Sequence, residues 1–180
     1  MIILASKSPR RQELIRLITT DFEVKSARVD ETLPQGISPQ QAVEYLSRIK
    51  AQPFANDTDI IIGADTVVSI DNIILGKPAD KDDARRMLSM LSGKWHSVLT
   101  GVTVIKGEKT VTFHQETKVK FFDLTDEEID RYIATGEPMD KAGAYGIQGY
   151  GSLLVDRIDG DYFNVVGLPV SRLNRELNFI

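Results

Sequence analysis

The stretch DIIIGADTVVSI, residues 59–70, decides the fold of this chain. Its isoleucines and valines are β-branched, and it is too apolar for the exposed edge of a sheet, so it predicts a central strand buried on both faces. Asp65 interrupts this apolar run. A buried carboxylate needs a partner or a metal. Asp65 is therefore either a structural residue hydrogen-bonded to nearby backbone, or a metal ligand or general base at a strand end, where α/β proteins place their sites.

The segments around this strand predict an α/β protein with a mixed sheet. The apolar run at residues 2–5 predicts a short strand, and the serine and proline that follow it predict a helix over residues 9–19. A capping box from Ser38 to Gln41 predicts the start of a second helix. Two long β runs joined by KGEK, residues 106–109, predict a hairpin, and a final helix is expected from Leu168.

Length and composition bound the class of protein. A chain of 180 residues fits a single domain spanning residues 1–180, with the possibility of two lobes. Its net charge of −4 argues against a nucleic-acid partner, so anion recognition must come from locally placed cations. The absence of cysteine excludes disulfides and thiolate chemistry and suits the cytoplasm. No apolar run is long enough to predict a membrane span.

The segment SKSPRR, residues 6–11, allows two interpretations. A helix N-terminus offers unpaired N–H groups and a positive dipole end, and Ser6, Arg10 and Arg11 beside it would complete a phosphate site. The alternative is a capped surface helix whose two arginines are simply solvated. This segment alone leaves both hypotheses open.

Four further polar residues are candidates for chemistry. Glu31 lies in an acidic loop, and Lys50 ends a helix, where a cation also favours the helix dipole. Lys77 lies between a glycine and a proline. Gln148 belongs to KAGAYGIQGYG, residues 141–151, a segment too rich in glycine for a regular element. That segment predicts either a tight corner or a loop that reads a base, because an amide both donates and accepts hydrogen bonds.

Several motifs together resemble the Maf family of nucleoside triphosphate pyrophosphatases. They follow the family's order and span essentially the whole chain: LASKSPRRQEL (4–14), VDET (29–32), GADTVV (63–68), GKP (76–78), LSGKWHSVLTG (91–101), GEPMDKAGAYGIQGYG (136–151) and NVVGLP (164–169). The resemblance implies an elongated mixed β-sheet flanked by helices, with a deep central cleft like that of inosine triphosphate pyrophosphatases. It also implies a homodimer and a divalent cation, Mg²⁺ or Mn²⁺.

The reaction implied by the resemblance is attack of water on the α-phosphorus with help from the metal, which releases a nucleoside monophosphate and pyrophosphate. Asp65 matches the family's catalytic aspartate, and Glu31 and Asp65 are oxygen ligands suited to the metal. Whether Asp65 acts as the base or holds the metal is left open. The remaining residues that match polar positions of the family's cleft, and are expected to bind phosphate, are Ser6, Arg11, Lys50 and Lys77.

Three positions separate branches of the family by substrate. The branch that acts on dTTP and UTP has the arginine, threonine and glutamine that this chain carries as Arg10, Thr66 and Gln148. The branch that resembles methylguanosine triphosphate hydrolases has tryptophan, glutamine and glutamate there. A glutamine amide matches the N3–H and O4 edge of thymine or uracil, so we expect dTTP, UTP and possible modified pyrimidine triphosphates as substrates.

Two alternatives are weighed against this prediction. The first is a methylguanosine triphosphate pyrophosphatase, which Arg10 and Gln148 disfavour. The second is a nucleotide-sensing regulator of septum formation and cell division, which would need no intact set of metal and base residues.

Overall fold

The computed structural model describes residues 1–180, and it contains seven β-strands and six α-helices. The strands are β1 (Ile2–Leu4), β2 (Phe22–Val24), β3 (Ile60–Ile70), β4 (Ile73–Leu75), β5 (Trp95–Lys106), β6 (Lys109–Phe121) and β7 (Val155–Asp159). The helices are α1 (Pro9–Ile15), α2 (Pro39–Ala51), α3 (Lys81–Leu91), α4 (Asp126–Ala134), α5 (Tyr162–Val166) and α6 (Val170–Leu177). Short 3₁₀ turns cover Gln52–Phe54, Glu137–Asp140, Ala142–Ala144 and Gly149–Leu154.

The strands form one mixed sheet in the order β2-β1-β3-β5-β6-β7, with β4 paired to β3. Strand β1 is parallel to both β2 and β3, whereas the β3–β4 and β6–β7 pairs are antiparallel. Strand β3 has neighbours on both sides and is mostly buried, which confirms the prediction of a central strand over residues 59–70. The predicted mixed α/β sheet flanked by helices is confirmed as well.

The chain divides into two compact units, and β3, β5 and β6 contribute residues to both. The first unit consists of Met1–Thr66, Thr100–Gln115 and Gly167–Ile180, and the second of Val67–Leu99 and Glu116–Val166. In the second unit, helices α3 and α4 pack with the sheet around a core that includes the fully buried Phe121. None of the helices has the length and apolar character needed to cross a lipid bilayer.

Helix α2 lies against the sheet of the first unit at two glycines. A Cβ atom at Gly63 of β3 would overlap the carbonyl oxygen of Ser47, and one at Gly101 of β5 would overlap the backbone of Val43. Only glycine, which has no Cβ atom, allows the helix backbone to come this close. The Ser47 hydroxyl also shares a hydrogen bond of 2.9 Å with the Thr103 hydroxyl. Helix α2 is therefore held tightly over β3 and β5.

Element ends differ from the sequence prediction in two places. The helix predicted over residues 9–19 ends at Ile15. The N–H groups of Leu17 and Ile18 bond to the carbonyl three residues earlier, as in a 3₁₀ turn, and the Leu17 side chain is exposed. The final helix begins at Val170 rather than at Leu168, because Pro169 disfavours a helical backbone conformation at the residue that precedes it. By contrast, the Ser38–Gln41 capping box and the hairpin of β5 and β6 are confirmed.

Candidate active site

The start of α1 places Arg11 in a network of hydrogen bonds. Ser8 caps the helix by accepting from the Arg11 backbone N–H at 3.5 Å, as the serine and proline predicted. The Arg11 side chain donates from Nε to the Gly167 carbonyl at 2.8 Å and from Nη1 to Ser6 Oγ at 3.2 Å. It also donates from Nη2 to Thr66 Oγ1 at 3.0 Å. The hypothesis of two simply solvated arginines is therefore wrong for Arg11.

Two N–H groups of the Arg11 guanidinium have no acceptor within the protein. A guanidinium has five N–H groups, and three of them bond to protein oxygens, so one N–H remains on each Nη. Burial lowers the pKa of Arg11, the charges of Asp65 and Glu31 raise it, and that of Arg10 lowers it. Arginine nevertheless stays protonated at neutral pH. The arrangement presents a fixed, charged and planar donor pair, which suits phosphate oxygens.

A second cluster forms around Lys50. The Lys50 ammonium contacts Asp65 Oδ1 in a short hydrogen bond and Glu31 Oε2 at 3.0 Å. The Asp65 side chain is 13 % exposed and the Glu31 side chain 55 % exposed, so one carboxylate is enclosed and the other faces solvent. Lys50 lies in the last turn of α2, which the glycine contacts hold against β3, and Asp65 lies on β3 itself. The structure thus brings together three residues that are distant in sequence.

The donor set of this cluster fits a hard divalent cation. Two carboxylates meet at one positive charge, and Mg²⁺ is commonly bound by one or two carboxylates together with water and substrate phosphates. The chain holds no group of three or more His, Cys, Asp or Glu side chains that could form a complete metal cage. Glu31 and Asp65 are therefore suited to a metal that shares its coordination with a phosphorylated ligand.

The other candidate residues lie in both units. Arg10 and Thr66 belong to the first unit, and the Thr66 hydroxyl accepts from Arg11 and shares a hydrogen bond of 2.9 Å with Thr100. Lys77 and Gln148 belong to the second unit, where both are exposed. The roles predicted for these residues stay predictions.

Two residues that position Arg11 did not stand out in the sequence. Gly167 supplies the carbonyl that accepts from Arg11 Nε, and its φ of +135° favours glycine over any residue with a side chain. Thr100 braces Thr66 from the neighbouring strand. A signal for Gly167 was present in the NVVGLP motif, but no pattern on the sequence links that glycine to an arginine 156 residues away.

Comparison with known proteins gives consistent matches. The family model described as Maf-like protein matches residues 1–180. A protein of Bacillus cereus strain B4264 named dTTP/UTP pyrophosphatase is 53% identical over 178 residues, covering 98% of this chain and 93% of the relative. A protein of Bacillus anthracis with the same name matches with the same identity and coverage.

Solved structures of low sequence similarity share the fold. A HAM1 protein from Coxiella burnetii aligns with a TM-score of 0.56 at 13% identity, covering 99% of this chain and 98% of that one. The Staphylococcus aureus Ham1 protein aligns with a TM-score of 0.51 at 14% identity, covering 68% and 72%. At such identities the likeness supports the architecture alone.

Proposed function

Because the chain belongs to the Maf family, we propose that it is a nucleoside triphosphate pyrophosphatase that hydrolyses dTTP and UTP. The products are the nucleoside monophosphate and pyrophosphate. Relatives that are 53% identical over nearly the whole chain carry the name dTTP/UTP pyrophosphatase. The observation that carries the proposal is the Lys50 ammonium joined to both Asp65 and Glu31, in the same unit as the fixed guanidinium of Arg11.

Cations of the chain bind and orient the triphosphate. Arg11 offers one free N–H from each Nη, while its other donors hold the guanidinium plane in place. Lys50 adds a point charge beside Asp65. Neutralising the phosphate oxygens lets water approach the α-phosphorus, and it stabilises the charge that passes to the leaving pyrophosphate. Ser6 and Lys77 are proposed as further phosphate contacts on the basis of their motifs.

Asp65 takes the proton from the attacking water. Its Oδ1 accepts from Lys50, and its Oδ2 makes no hydrogen bond in the structure, so Oδ2 is the atom available to receive a proton. The water oxygen bonds to the α-phosphorus, the bond to the bridging oxygen breaks, and pyrophosphate leaves. Lys50 holds the carboxylate in one orientation during this transfer, as a general base requires.

A divalent cation, Mg²⁺ or Mn²⁺, held by Glu31 and Asp65 would supply Lewis-acid polarisation of the phosphate oxygens. If Asp65 serves mainly as its ligand, the carboxylate is a poorer base, and the two roles compete for the same oxygen atoms. Lys50 meets both carboxylates and limits their mutual repulsion.

Recognition of the base is assigned to Gln148, with Arg10 and Thr66 as further selectivity residues. The Gln148 amide can donate to O4 and accept from N3–H of uracil or thymine, whereas cytosine and adenine present an amino donor beside a ring-nitrogen acceptor. Guanine presents a similar pair through O6 and N1–H, so the amide alone does not distinguish guanine from uracil. The relatives named above support neither the methylguanosine alternative nor the septum regulator. A homodimer and a cytoplasmic location are part of the same proposal: the homodimer rests on the family resemblance, and the cytoplasmic location on the absence of cysteine.

A panel of nucleoside triphosphates tests the proposal. The purified protein is incubated with Mg²⁺ or Mn²⁺ and UTP, dTTP, CTP, ATP, GTP or methylguanosine triphosphate, and pyrophosphate and single phosphate are measured separately. We expect pyrophosphate from UTP and dTTP in preference to the others. Release of single phosphate, or no turnover of UTP and dTTP, would refute the proposal. Preference for methylguanosine triphosphate would assign the protein to the branch that resembles methylguanosine triphosphate hydrolases.

A further inference from the structure

The loop that carries Gln148 lacks the hydrogen bonds of regular structure. Gly143 and Gly149 have φ values of +68° and +62°, and Ala144 also has a positive φ of +61°. Two short 3₁₀ turns flank the exposed Gln148, whose side chain forms no capping bond. Such a segment needs external contacts to keep a single conformation.

The start of the loop is held by the Gly143 N–H, which donates to the Gly76 carbonyl at 3.0 Å, and around Gln148 the contacts come from two side chains, Glu137 and Tyr132. Glu137 Oε2 accepts from the Tyr150 N–H at 3.1 Å, and Glu137 Oε1 accepts from the Gly151 N–H at 3.0 Å. The Tyr132 hydroxyl accepts from the Gly146 N–H at 3.2 Å and donates to Glu137 Oε1 at 2.9 Å. Gln148 is therefore bracketed in sequence by anchored amides, at position 146 before it and at 150 and 151 after it.

The anchors pack closely against the loop backbone. A Cβ atom at Gly149 would lie 2.6 Å from Glu137 Oε2, and one at Gly151 would lie 2.8 Å from the Tyr132 hydroxyl. Tyr132 is only 4 % exposed, and α4 holds it in the core of the second unit. Burial raises the pKa of Tyr132, so its hydroxyl keeps the proton that it donates to Glu137. The Glu137 carboxylate and the Tyr132 hydroxyl thus tie the amides on both sides of Gln148 to a rigid element.

We propose that Glu137, supported by Tyr132, is a positioning residue for substrate selectivity, because it holds the loop that presents Gln148 to the pyrimidine base. This inference rests on the proposed function for the role of Gln148, but the hydrogen bonds on which it depends lie wholly within the second unit. Glu137 contacts the loop backbone, and its effect on the base passes through Gln148. It is a positioning residue and not a catalytic one.

The first test measures the loop directly by amide hydrogen exchange. In Glu137→Ala, the amides of Tyr150 and Gly151 lose their acceptor and should exchange about tenfold faster or more, since each lost hydrogen bond to a charged group exceeds 1.4 kcal/mol. The control Glu127→Ala removes an exposed carboxylate of α4 that has no contact with the loop, and should leave these amides unchanged. Unchanged exchange in Glu137→Ala would overturn the inference, whatever the enzyme assays show.

The second test is a double-mutant cycle on kinetics. We expect Glu137→Ala to raise KM for UTP about tenfold, with a smaller change in kcat, and to reduce the preference for UTP over ATP. In the Gln148→Ala background the same substitution should change the UTP preference little, because the base contact is already lost. Equal factors in both backgrounds would show that Glu137 does not act through Gln148, and would overturn the inference.

Milder variants cover the case in which Glu137→Ala does not fold. Glu137→Gln retains one acceptor oxygen and should give a partial effect on UTP preference, and Tyr132→Phe removes only the Gly146 anchor and the donor to Glu137. Wild-type selectivity in both would refute the inference. If the wild-type protein releases no pyrophosphate from UTP, the proposed function fails by itself, while hydrogen exchange still decides whether Glu137 holds the loop.

Discussion

Replacing Gly63 with alanine should disturb both the stability of the first unit and the geometry of the site. The added Cβ would overlap the Ser47 carbonyl oxygen and lie 2.9 Å from both the nitrogen and the Cβ of Ala51. These are mostly backbone atoms of α2, so the helix itself must move. Lys50 precedes Ala51 on that helix, and its contact with Asp65 would lengthen as the helix shifts.

The magnitude follows from the cost of overpacking. Adding a methyl group to a well-packed core costs about 1–3 kcal/mol. For a chain of this size, each kcal/mol lowers Tm by about 2–4 °C, so a central value of about 2 kcal/mol predicts a fall of about 4–8 °C. Thermal unfolding followed by circular dichroism measures it, and kcat/KM for UTP should fall as well.

A matched control separates this steric effect from the general effect of replacing glycine. A Cβ atom at Gly76 meets no atom within 4 Å, and its φ is not positive, so Gly76→Ala should leave Tm nearly unchanged. A Tm for Gly63→Ala equal to that of wild type and of Gly76→Ala would refute the argument that close packing of α2 on β3 positions Lys50.

Three further predictions concern single side chains. Burial lowers the pKa of His96 to about 4, whereas a histidine in the unfolded chain has a pKa of about 6.5. Between these two pH values the unfolded chain binds a proton at His96 and the folded protein does not. Stability should therefore fall by about 3 kcal/mol as the pH drops from about 6.5 to about 4, and denaturant titrations should show a shallower pH slope in His96→Asn; equal slopes would contradict this. Asp65→Asn should lower kcat for UTP by at least about 100-fold with an unchanged circular dichroism spectrum, and near-normal turnover would show that Asp65 is not the base. Arg11→Lys places all donors on one nitrogen, which cannot reach three separate acceptors, so it should destabilise the fold by about 2 kcal/mol and raise KM for UTP; wild-type values for both would refute the role of the guanidinium fork.

Patterns that depend on neighbouring residues were predictable from the sequence. The apolar run of β3 needed burial on both faces, and the capping box of α2 marked the start of that helix. The early end of α1 was not predictable, because Leu17 fits the helical spacing and only the packing decides that its side chain stays exposed. Local physics therefore located the elements, and tertiary packing decided where they end.

The candidate site was predictable in its members and not in its connections. Asp65 stood out as a carboxylate within an apolar strand, and the motifs pointed to Arg11 and Lys50. Nothing in the sequence indicates that Lys50 meets Asp65 and Glu31 at once, since that contact depends on how closely α2 packs on β3. The role of Glu137 was hidden for the same reason, because its partners are backbone amides, which have no signature in the sequence.

The central claim is that water attacks the α-phosphorus of a pyrimidine nucleoside triphosphate, and isotope labelling tests it most directly. UTP is hydrolysed to completion in water enriched in ¹⁸O, and the products are analysed by mass spectrometry. The account predicts one ¹⁸O atom in the nucleoside monophosphate and none in the pyrophosphate. Label in pyrophosphate or in single phosphate would place the attack on another phosphorus and contradict the account.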